Sequence, residues 1–81
     1  KNILLKKSSA IKLTLKESKM LLYLYKNIGN DVEREDLATE INVSTRSVDV
    51  LVKRLRSKIL SLPQSKNILL TSRGIGYRLD P

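Results

Sequence analysis

The spacing of apolar residues changes along the chain, and each change predicts a new element. Residues 3–13 hold two short β-prone runs around Lys-Lys-Ser-Ser, which favours a small hairpin. The apolar residues that follow recur at helical spacing and predict a helix over residues 15–28. Thr14 and Glu17 form a Ser/Thr-x-x-Glu capping box at its start, and Gly29 tolerates the left-handed conformation that often terminates a helix.

Two more helical patterns follow, separated only by residues 42–44. The first has an apolar stripe and an acid-rich first turn, which the helix dipole favours, and it predicts a helix over residues 34–41. The second begins after Ser44, a good N-cap, and predicts a longer helix over residues 45–60. Two helices joined by so short a turn are typical of a helix-turn-helix, whose second helix enters the major groove of DNA. Any helical hairpin has the same spacing, so the side chains must decide.

The outward face of the helix at 45–60 is cationic. At about 100° per residue, with Val48 at the centre of the buried side, the opposite side carries three cations, a valine and a serine. These residues are Arg46, Val50, Lys53, Arg54 and Ser57. Lysine and arginine suit phosphates and guanine edges, and a valine suits a thymine methyl group, whereas a face of solvated charges is the alternative. Asp49 flanks this face, and we interpret it as the charge partner of a neighbouring arginine.

The C-terminal segment predicts a β-hairpin in which two short β-prone runs, residues 67–72 and 76–79, flank the turn of RGIGYRL. Gly74 and Gly76 are predicted to let the backbone turn tightly and approach a duplex closely. A nucleotide-binding loop is excluded because a third glycine and a following helix are both missing. We interpret Arg78 as a solvated charge. A helix-turn-helix followed by such a hairpin is a winged helix.

The charge of the chain indicates an acidic partner. Its 81 residues suffice for one domain, and 16 Lys and Arg against 8 Asp and Glu give a net charge of +8. Residues 1–40 hold eight basic and six acidic side chains, whereas residues 41–81 hold eight and two. Cations gathered in one half are expected of a nucleic-acid binder, with a generally lysine-rich proteome as the alternative.

Other function classes are disfavoured by the residue types that the chain lacks. With no His and no Cys, the commonest catalytic base, the thiol nucleophile and the usual zinc ligands are absent, so we predict no enzyme and no cofactor or metal site. RNA binding is disfavoured because there are only three tyrosines, of which Tyr23 and Tyr25 fall on the first helix. A winged helix that contacts only proteins remains open.

The compartment and the extent of the protein are predicted from the same sequence. No apolar run approaches the roughly 20 residues that cross a bilayer, and no stretch resembles a signal peptide. The lack of cysteine rules out a disulfide, which suits a reducing compartment. Because the chain begins at Lys1 without an initiator methionine, we expect residues 1–81 to be a single domain from a longer cytoplasmic protein.

Three stretches together resemble the OmpR/PhoB-type DNA-binding domain, the output module of two-component response regulators. They are TLKESKMLLYL, RSVDVLVKRLRSKI and LTSRGIGYRL, and they cover most of the chain from Thr14 onwards. The resemblance implies an α+β winged helix-turn-helix with a short N-terminal antiparallel sheet, three helices and a C-terminal β-hairpin wing. The recognition helix at 45–60 would lie in the major groove and the wing at 67–79 against the minor groove. The implied function is sequence-specific binding of double-stranded DNA in transcriptional regulation.

The resemblance also implies which residues touch DNA. It assigns base or phosphate contacts to the outer face of the recognition helix, a phosphate contact to Arg56, and further contacts to the wing. The helix residues are Arg46, Val50, Lys53 and Arg54, and the wing residues are Thr71, Arg73 and Tyr77. Arg73 is predicted to enter a minor groove whose negative potential attracts it. Tyr77 is predicted to offer its hydroxyl to a phosphate, with a ring packed on the core as the alternative.

The chain departs from the family pattern in four places. Two strands are predicted before Thr14 where the family usually has four, and Leu51 stands where many members carry a histidine. Glu33 replaces the usual Ser or Thr cap, and residues 42–44 form a shorter loop than the family's, at a site that often touches polymerase. RNA polymerase is a candidate partner of the domain.

The family further implies a receiver domain upstream, in a bacterial protein. Such a receiver is phosphorylated on aspartate, and the protein binds DNA as a homodimer through this second domain. ToxR-like activators share the winged domain without a receiver, and free-standing or unphosphorylated regulators form a third possibility. The residues themselves do not choose among the three.

Overall fold

The computed structural model describes residues 12–63 and 66–80, which form three helices and a three-stranded antiparallel sheet. Residues 3–11 of the predicted N-terminal hairpin lie outside the described residues, and residues 12–13 are not in a strand. None of the helices described is both long and apolar enough to cross a membrane. In chain order the elements are α1 Leu15–Lys26, β1 Val32–Glu33, α2 Arg34–Ile41, α3 Thr45–Leu60, β2 Leu69–Ser72 and β3 Gly76–Leu79.

Helix α1 begins as predicted but ends two residues early. The backbone N–H of Glu17 donates to Thr14 Oγ1 at 3.1 Å and the N–H of Thr14 donates to Glu17 Oε1 at 2.9 Å, which completes the capping box. Gly29 adopts a φ of 85°, and its N–H donates to the carbonyl of Leu79 at 2.8 Å. The helix therefore ends where the hydrogen bond between Gly29 and Leu79 directs the chain toward the end of β3. Local periodicity does not reveal this contact.

Helices α2 and α3 have the predicted bounds and are joined by residues 42–44. Asn42 adopts a left-handed φ of 59°, which turns the chain within this short connection. Ser44 then caps α3, since its Oγ accepts from the backbone N–H of Ser47 at 3.1 Å. Glu33 precedes α2 without a side-chain capping bond, in line with its departure from the family's cap. This turn fixes the direction in which α3 leaves α2.

The sheet has the order β1-β3-β2, and its first strand was not predicted. Val32 lies opposite Tyr77, and Glu33 lies opposite Gly76. A Cβ on Gly76 would lie 2.1 Å from the carbonyl oxygen of Val32, so a side chain there cannot fit. The prediction that Gly76 serves the turn is therefore wrong, because this glycine lets β1 lie against β3. Its close approach to DNA stays a prediction. Gly74, with a φ of 80°, does supply the turn.

The core lies where the three helices meet the inner face of the hairpin. Leu69 and Leu79 of the hairpin are fully buried there, and Leu51 is buried at the edge, as expected of a leucine in place of a histidine. Burial of Leu69 and Leu79 holds the base of the wing beside α3. The largest fully buried apolar helix residues are Met20, Leu24, Leu37, Ile41, Val48, Val52 and Leu55.

Candidate nucleic-acid interface

The outer face of α3 is exposed over its whole length. Its cations have no hydrogen bond or ion pair with any other described residue, and Val50 in their midst is 46% exposed. The face therefore offers unpaired positive charge together with one apolar contact. The exposed residues of this face, as the helical spacing predicted, are Arg46, Val50, Lys53, Arg54 and Ser57.

Asp49 is the one acid beside this face in the described helix, and it is engaged by two other elements. Arg34, the first residue of α2, donates from Nε to Asp49 Oδ1 at 3.0 Å and from Nη2 to Oδ2 at 2.7 Å. Tyr77 of β3 donates from its hydroxyl to the same Oδ1 at 2.7 Å. Asp49 is therefore a charge partner, as interpreted from the sequence, and Arg34 is the arginine.

The electrostatics of this trio keep the carboxylate ionised. Hydrogen bonds from Arg34 and then Tyr77 hold the pKa of Asp49 below its ordinary value. Burial and the bond to Asp49 together raise the pKa of the Tyr77 hydroxyl. A bidentate guanidinium cancels the charge of Asp49 locally, so the face as a whole stays attractive to phosphate.

Of the two interpretations of Tyr77 made from the sequence, the structure bears on the packing of its ring and does not test its contact with phosphate. Its ring is half-buried and packs against the core, as the alternative interpretation required. Its hydroxyl hydrogen points to Asp49, so a phosphate would have to compete with a charged acceptor. The predicted phosphate contact therefore stays a prediction.

Arg56 and Thr71 meet each other at the junction of α3 and the wing. Arg56 donates from Nε to the carbonyl of Leu69 at 2.9 Å and from Nη2 to Thr71 Oγ1 at 3.1 Å. These bonds fasten β2 to the recognition helix. A guanidinium has five N–H donors, so the remaining ones are available to a phosphate.

The wing turn carries Arg73 and Ile75 in exposed positions, and Arg73 has no partner within the described residues. The interpretation of Arg78 as a solvated charge is wrong. Its side chain is 36% exposed, and its guanidinium nitrogens lie 3.5 Å from Asp31 Oδ1 and 3.8 Å from Asp80 Oδ2, because the neighbouring strand β1 and the chain before it cover one side.

Sequence reasoning missed the pair formed by Glu17 and Lys58. Glu17 is only 1% exposed, and Lys58 Nζ donates to its Oε1 at 2.6 Å and to the carbonyl of Lys12 at 2.8 Å. Burial raises the pKa of Glu17, but the bonds from Lys58 and Thr14 outweigh burial and leave the pKa below its ordinary value. The capping box was the only signal, and it does not reveal that α3 covers Glu17.

The described residues contain no group of three or more His, Cys, Asp or Glu that could hold a metal ion. A helix-turn-helix whose second helix carries an exposed cationic face, with a hairpin docked on that helix, defines a winged helix-turn-helix domain of the nucleic-acid-binding class.

The chain belongs to the family described as "Transcriptional regulatory protein, C terminal", which it matches over residues 8–79. This membership confirms the resemblance to OmpR/PhoB-type domains.

Curated relatives of the chain include two regulators from bacteria. It is 36% identical over 81 residues to the transcriptional regulatory protein AfsQ1 of Streptomyces coelicolor, covering 94% of this chain and 36% of that protein. It is 42% identical over 76 residues to the sensory transduction protein RegX3 of Mycobacterium leprae, covering 88% of this chain and 38% of the relative. The chain thus spans little more than a third of the length of these relatives.

Solved structures with the same fold include domains bound to DNA. The DNA-binding domain of the response regulator AdeR in complex with an intercistronic region has a TM-score of 0.78 and 30% identity, covering 88% of this chain and 74% of that chain. The DNA-binding domain of Klebsiella pneumoniae RstA in complex with the RstA box has a TM-score of 0.75 and 30% identity, with coverages of 88% and 75%. These similarities confirm the predicted fold class.

Proposed function

We propose that this domain binds double-stranded DNA at specific sequences and regulates transcription as the output domain of a response regulator. The observation that carries the proposal is the outer face of α3, where exposed cations have no partner among the described residues and lie beside a docked wing. The similar domains of AdeR and RstA, which are described in complex with DNA, support the same interpretation.

In this proposal α3 lies in the major groove. Lys53 and Arg46 set the register of the helix by pairing with phosphates, and Arg54 donates to a guanine edge. Val50, exposed between the cations, packs on a thymine methyl group. The exposed positions of these four side chains on one side of α3 support contact of all four with the same groove.

The wing acts at the neighbouring minor groove. Arg73 reaches into the groove from the exposed turn, where a narrow A·T-rich segment has the most negative potential. Arg56 holds β2 in place and offers its remaining N–H donors to a phosphate, with Thr71 beside it.

The wider context is proposed from the relatives. A chain that spans about a third of AfsQ1 and RegX3 fits a C-terminal output domain, with a phosphorylated receiver domain and homodimer formation supplied by the rest of the protein. We place this protein in the bacterial cytoplasm, with RNA polymerase as a further partner and with no catalytic activity. A ToxR-like protein without a receiver is the alternative, and the reading frame upstream of Lys1 distinguishes the two.

The test is a fluorescence-anisotropy titration of the domain at two salt concentrations. The two duplexes are the DNA upstream of its own gene and a scrambled sequence of the same composition. Tighter binding to the upstream duplex, with an affinity that falls steeply as salt rises, is expected because cations displace counterions from phosphates.

Equal and weak binding to both duplexes at both salt concentrations would refute specific DNA recognition. It would leave a winged helix that contacts only proteins, whose outer α3 face could lose its charge without consequence. A triple variant of the three outer cations, Arg46→Ala, Lys53→Ala and Arg54→Ala, supplies that comparison.

A further inference from the structure

Asp49 occupies a position where a negative charge opposes the proposed function. It lies on the recognition helix beside the face that is proposed to meet phosphates, and its side chain is 43% exposed. A like charge at this edge repels the DNA backbone by Coulomb's law. Arg34 offsets most of this charge, and the repulsion that remains calls for a contribution that outweighs it.

The contacts of Asp49 join three elements at one carboxylate. Arg34 begins α2, and its backbone N–H donates to the carbonyl of Ile75 in the wing turn at 3.4 Å. Its guanidinium then reaches back to both oxygens of Asp49 on α3. Tyr77 of β3 completes the contact from the wing side. One acid thus ties the wing and α2 to the recognition helix.

A second attachment lies farther along α3, where Arg56 bonds to Leu69 and Thr71 of β2. Asp49 holds β3 and Arg56 holds β2, so both strands of the wing are tied to the same helix about two turns apart. Two attachments to one helix restrict rotation of the hairpin about either of them.

We propose that Asp49 is a positioning residue for DNA recognition, which holds the wing at a fixed distance and angle from the recognition helix. This inference rests on the proposed function. Two contact surfaces on one rigid body bind two adjacent grooves with less loss of conformational freedom than two surfaces that move independently. Specific affinity then depends on an acid that repels DNA when considered alone.

The direction in which Asp49→Ala changes DNA affinity separates charge repulsion from positioning of the wing. If Asp49 acts through charge alone, Asp49→Ala raises affinity for every duplex. If it positions the wing, Asp49→Ala lowers affinity for the specific duplex by about five- to tenfold, while affinity for the scrambled duplex stays equal or rises. Glu40→Ala is the matched control, because it removes one exposed acid at the far end of α2 and leaves the wing contacts intact.

Two conservative variants refine the test. Asp49→Asn keeps an oxygen that accepts from Tyr77, and we expect it to retain more of the specific affinity than Asp49→Ala does. Tyr77→Phe removes only the hydroxyl, so it should lower specific affinity when Asp49 is present and have no additional effect when Asp49 is alanine.

The outcomes are distinguishable from a failure of the proposed function. If the unaltered domain does not prefer the specific duplex, both proposals fall. If it does, and Asp49→Ala binds that duplex more tightly, or Tyr77→Phe has the same effect in both backgrounds, only the positioning role is overturned. Circular dichroism at the temperature of the titration shows which variants are folded, and the isosteric Asp49→Asn and Tyr77→Phe carry the test if the alanine variant is not.

Discussion

The recognition helix carries an acid–base pair near each end, and the two pairs differ in burial rather than in length. Near its start Asp49 Oδ2 lies 2.7 Å from Arg34 Nη2, and the side chains of Asp49 and Arg34 are 43% and 45% exposed. Near its other end Lys58 lies 2.6 Å from Glu17, which is 1% exposed. The two ion pairs therefore have similar N–O distances, but water reaches both side chains of the first pair and does not reach Glu17 in the second.

This difference in burial assigns the two pairs to different tasks. An exposed pair gains little Coulomb energy over its hydrated parts and contributes little to folding, so its value lies in the geometry that it fixes. A buried acid cannot lose its partner without leaving an uncompensated charge, so the Glu17 pair is part of what keeps α1 and α3 together. The five predictions that bear on stability and on DNA affinity follow from this contrast.

The largest effect is expected at the buried pair. Glu17→Ala removes the partner of Lys58 and half of the capping box, and should lower the free energy of unfolding by about 3 kcal/mol. Urea unfolding followed by circular dichroism measures this change, with Glu40→Ala as the exposed-acid control. A loss no greater than that of the control would show that the buried pair is not a stabilising element.

The pH dependence of stability should follow the same pair. The pKa of Glu17 lies below its ordinary value of 4.5 in the folded protein, so its contribution is complete above that value and is lost as the pH falls through the folded pKa. Asp49 has the same sign but is more exposed. Urea titrations from neutral pH down to about 3 measure the free energy of unfolding, whose pH dependence should decrease more in Glu17→Gln than in Asp49→Asn. The reverse order would contradict the difference in burial between the two pairs.

Between the two pairs lies the outer face of α3, where substitutions should affect binding and leave folding intact. Arg54→Ala should lower affinity for the specific duplex by about 1 to 3 kcal/mol more than for the scrambled one, as expected of a base contact. Lys53→Ala should weaken both duplexes alike and flatten the salt slope by about one unit. Anisotropy titrations at several salt concentrations measure both, and equal losses on the two duplexes for Arg54→Ala would reassign that residue to phosphate.

A smaller effect is expected at the wing tip. Arg73→Ala should weaken binding mainly where the site is flanked by an A·T-rich segment, because only a narrow minor groove concentrates the negative potential that attracts the guanidinium. Titrations against duplexes that differ only in flanking sequence measure this preference. If the loss is the same with G·C flanks, Arg73 does not enter the groove.

The smallest effect on folding is expected at the exposed pair. Asp49→Ala should change the free energy of unfolding no more than Glu40→Ala does, although its specific DNA affinity falls. The same urea series measures this difference. A large loss of stability would mean that Asp49 supports the fold itself, as Glu17 does.

Local signals in the sequence were sufficient for the bounds of α2 and α3 and for the start of α1. The bounds of α2 and α3 follow from apolar stripes and caps within a few residues, such as Ser44 before α3, and the outer face of α3 follows from helical geometry alone. The early end of α1 does not, because Gly29 bonds to Leu79, fifty residues away along the chain. Strand β1 has only two residues, which is too short for any periodic pattern.

The candidate site likewise has features that could be predicted from the sequence and features that depend on how separate elements pack. Exposed cations could be predicted, since exposure depends on one helix. The engagement of Asp49 by Arg34 and Tyr77 joins three elements, and the attachment of Arg56 to β2 depends on how the hairpin docks. Residue types indicated that Asp49 needs a cation, but only the packed structure says which one.

The contact between Gly76 and the carbonyl of Val32 has a practical consequence for anyone who alters this domain. Position 76 does not tolerate a side chain, and mutant libraries aimed at new DNA specificity should leave it as glycine. Its neighbour Ile75 is 46% exposed at the turn. A cysteine introduced at position 75 would be unique in a chain that has none, and a fluorophore attached there would report directly on when the wing meets DNA.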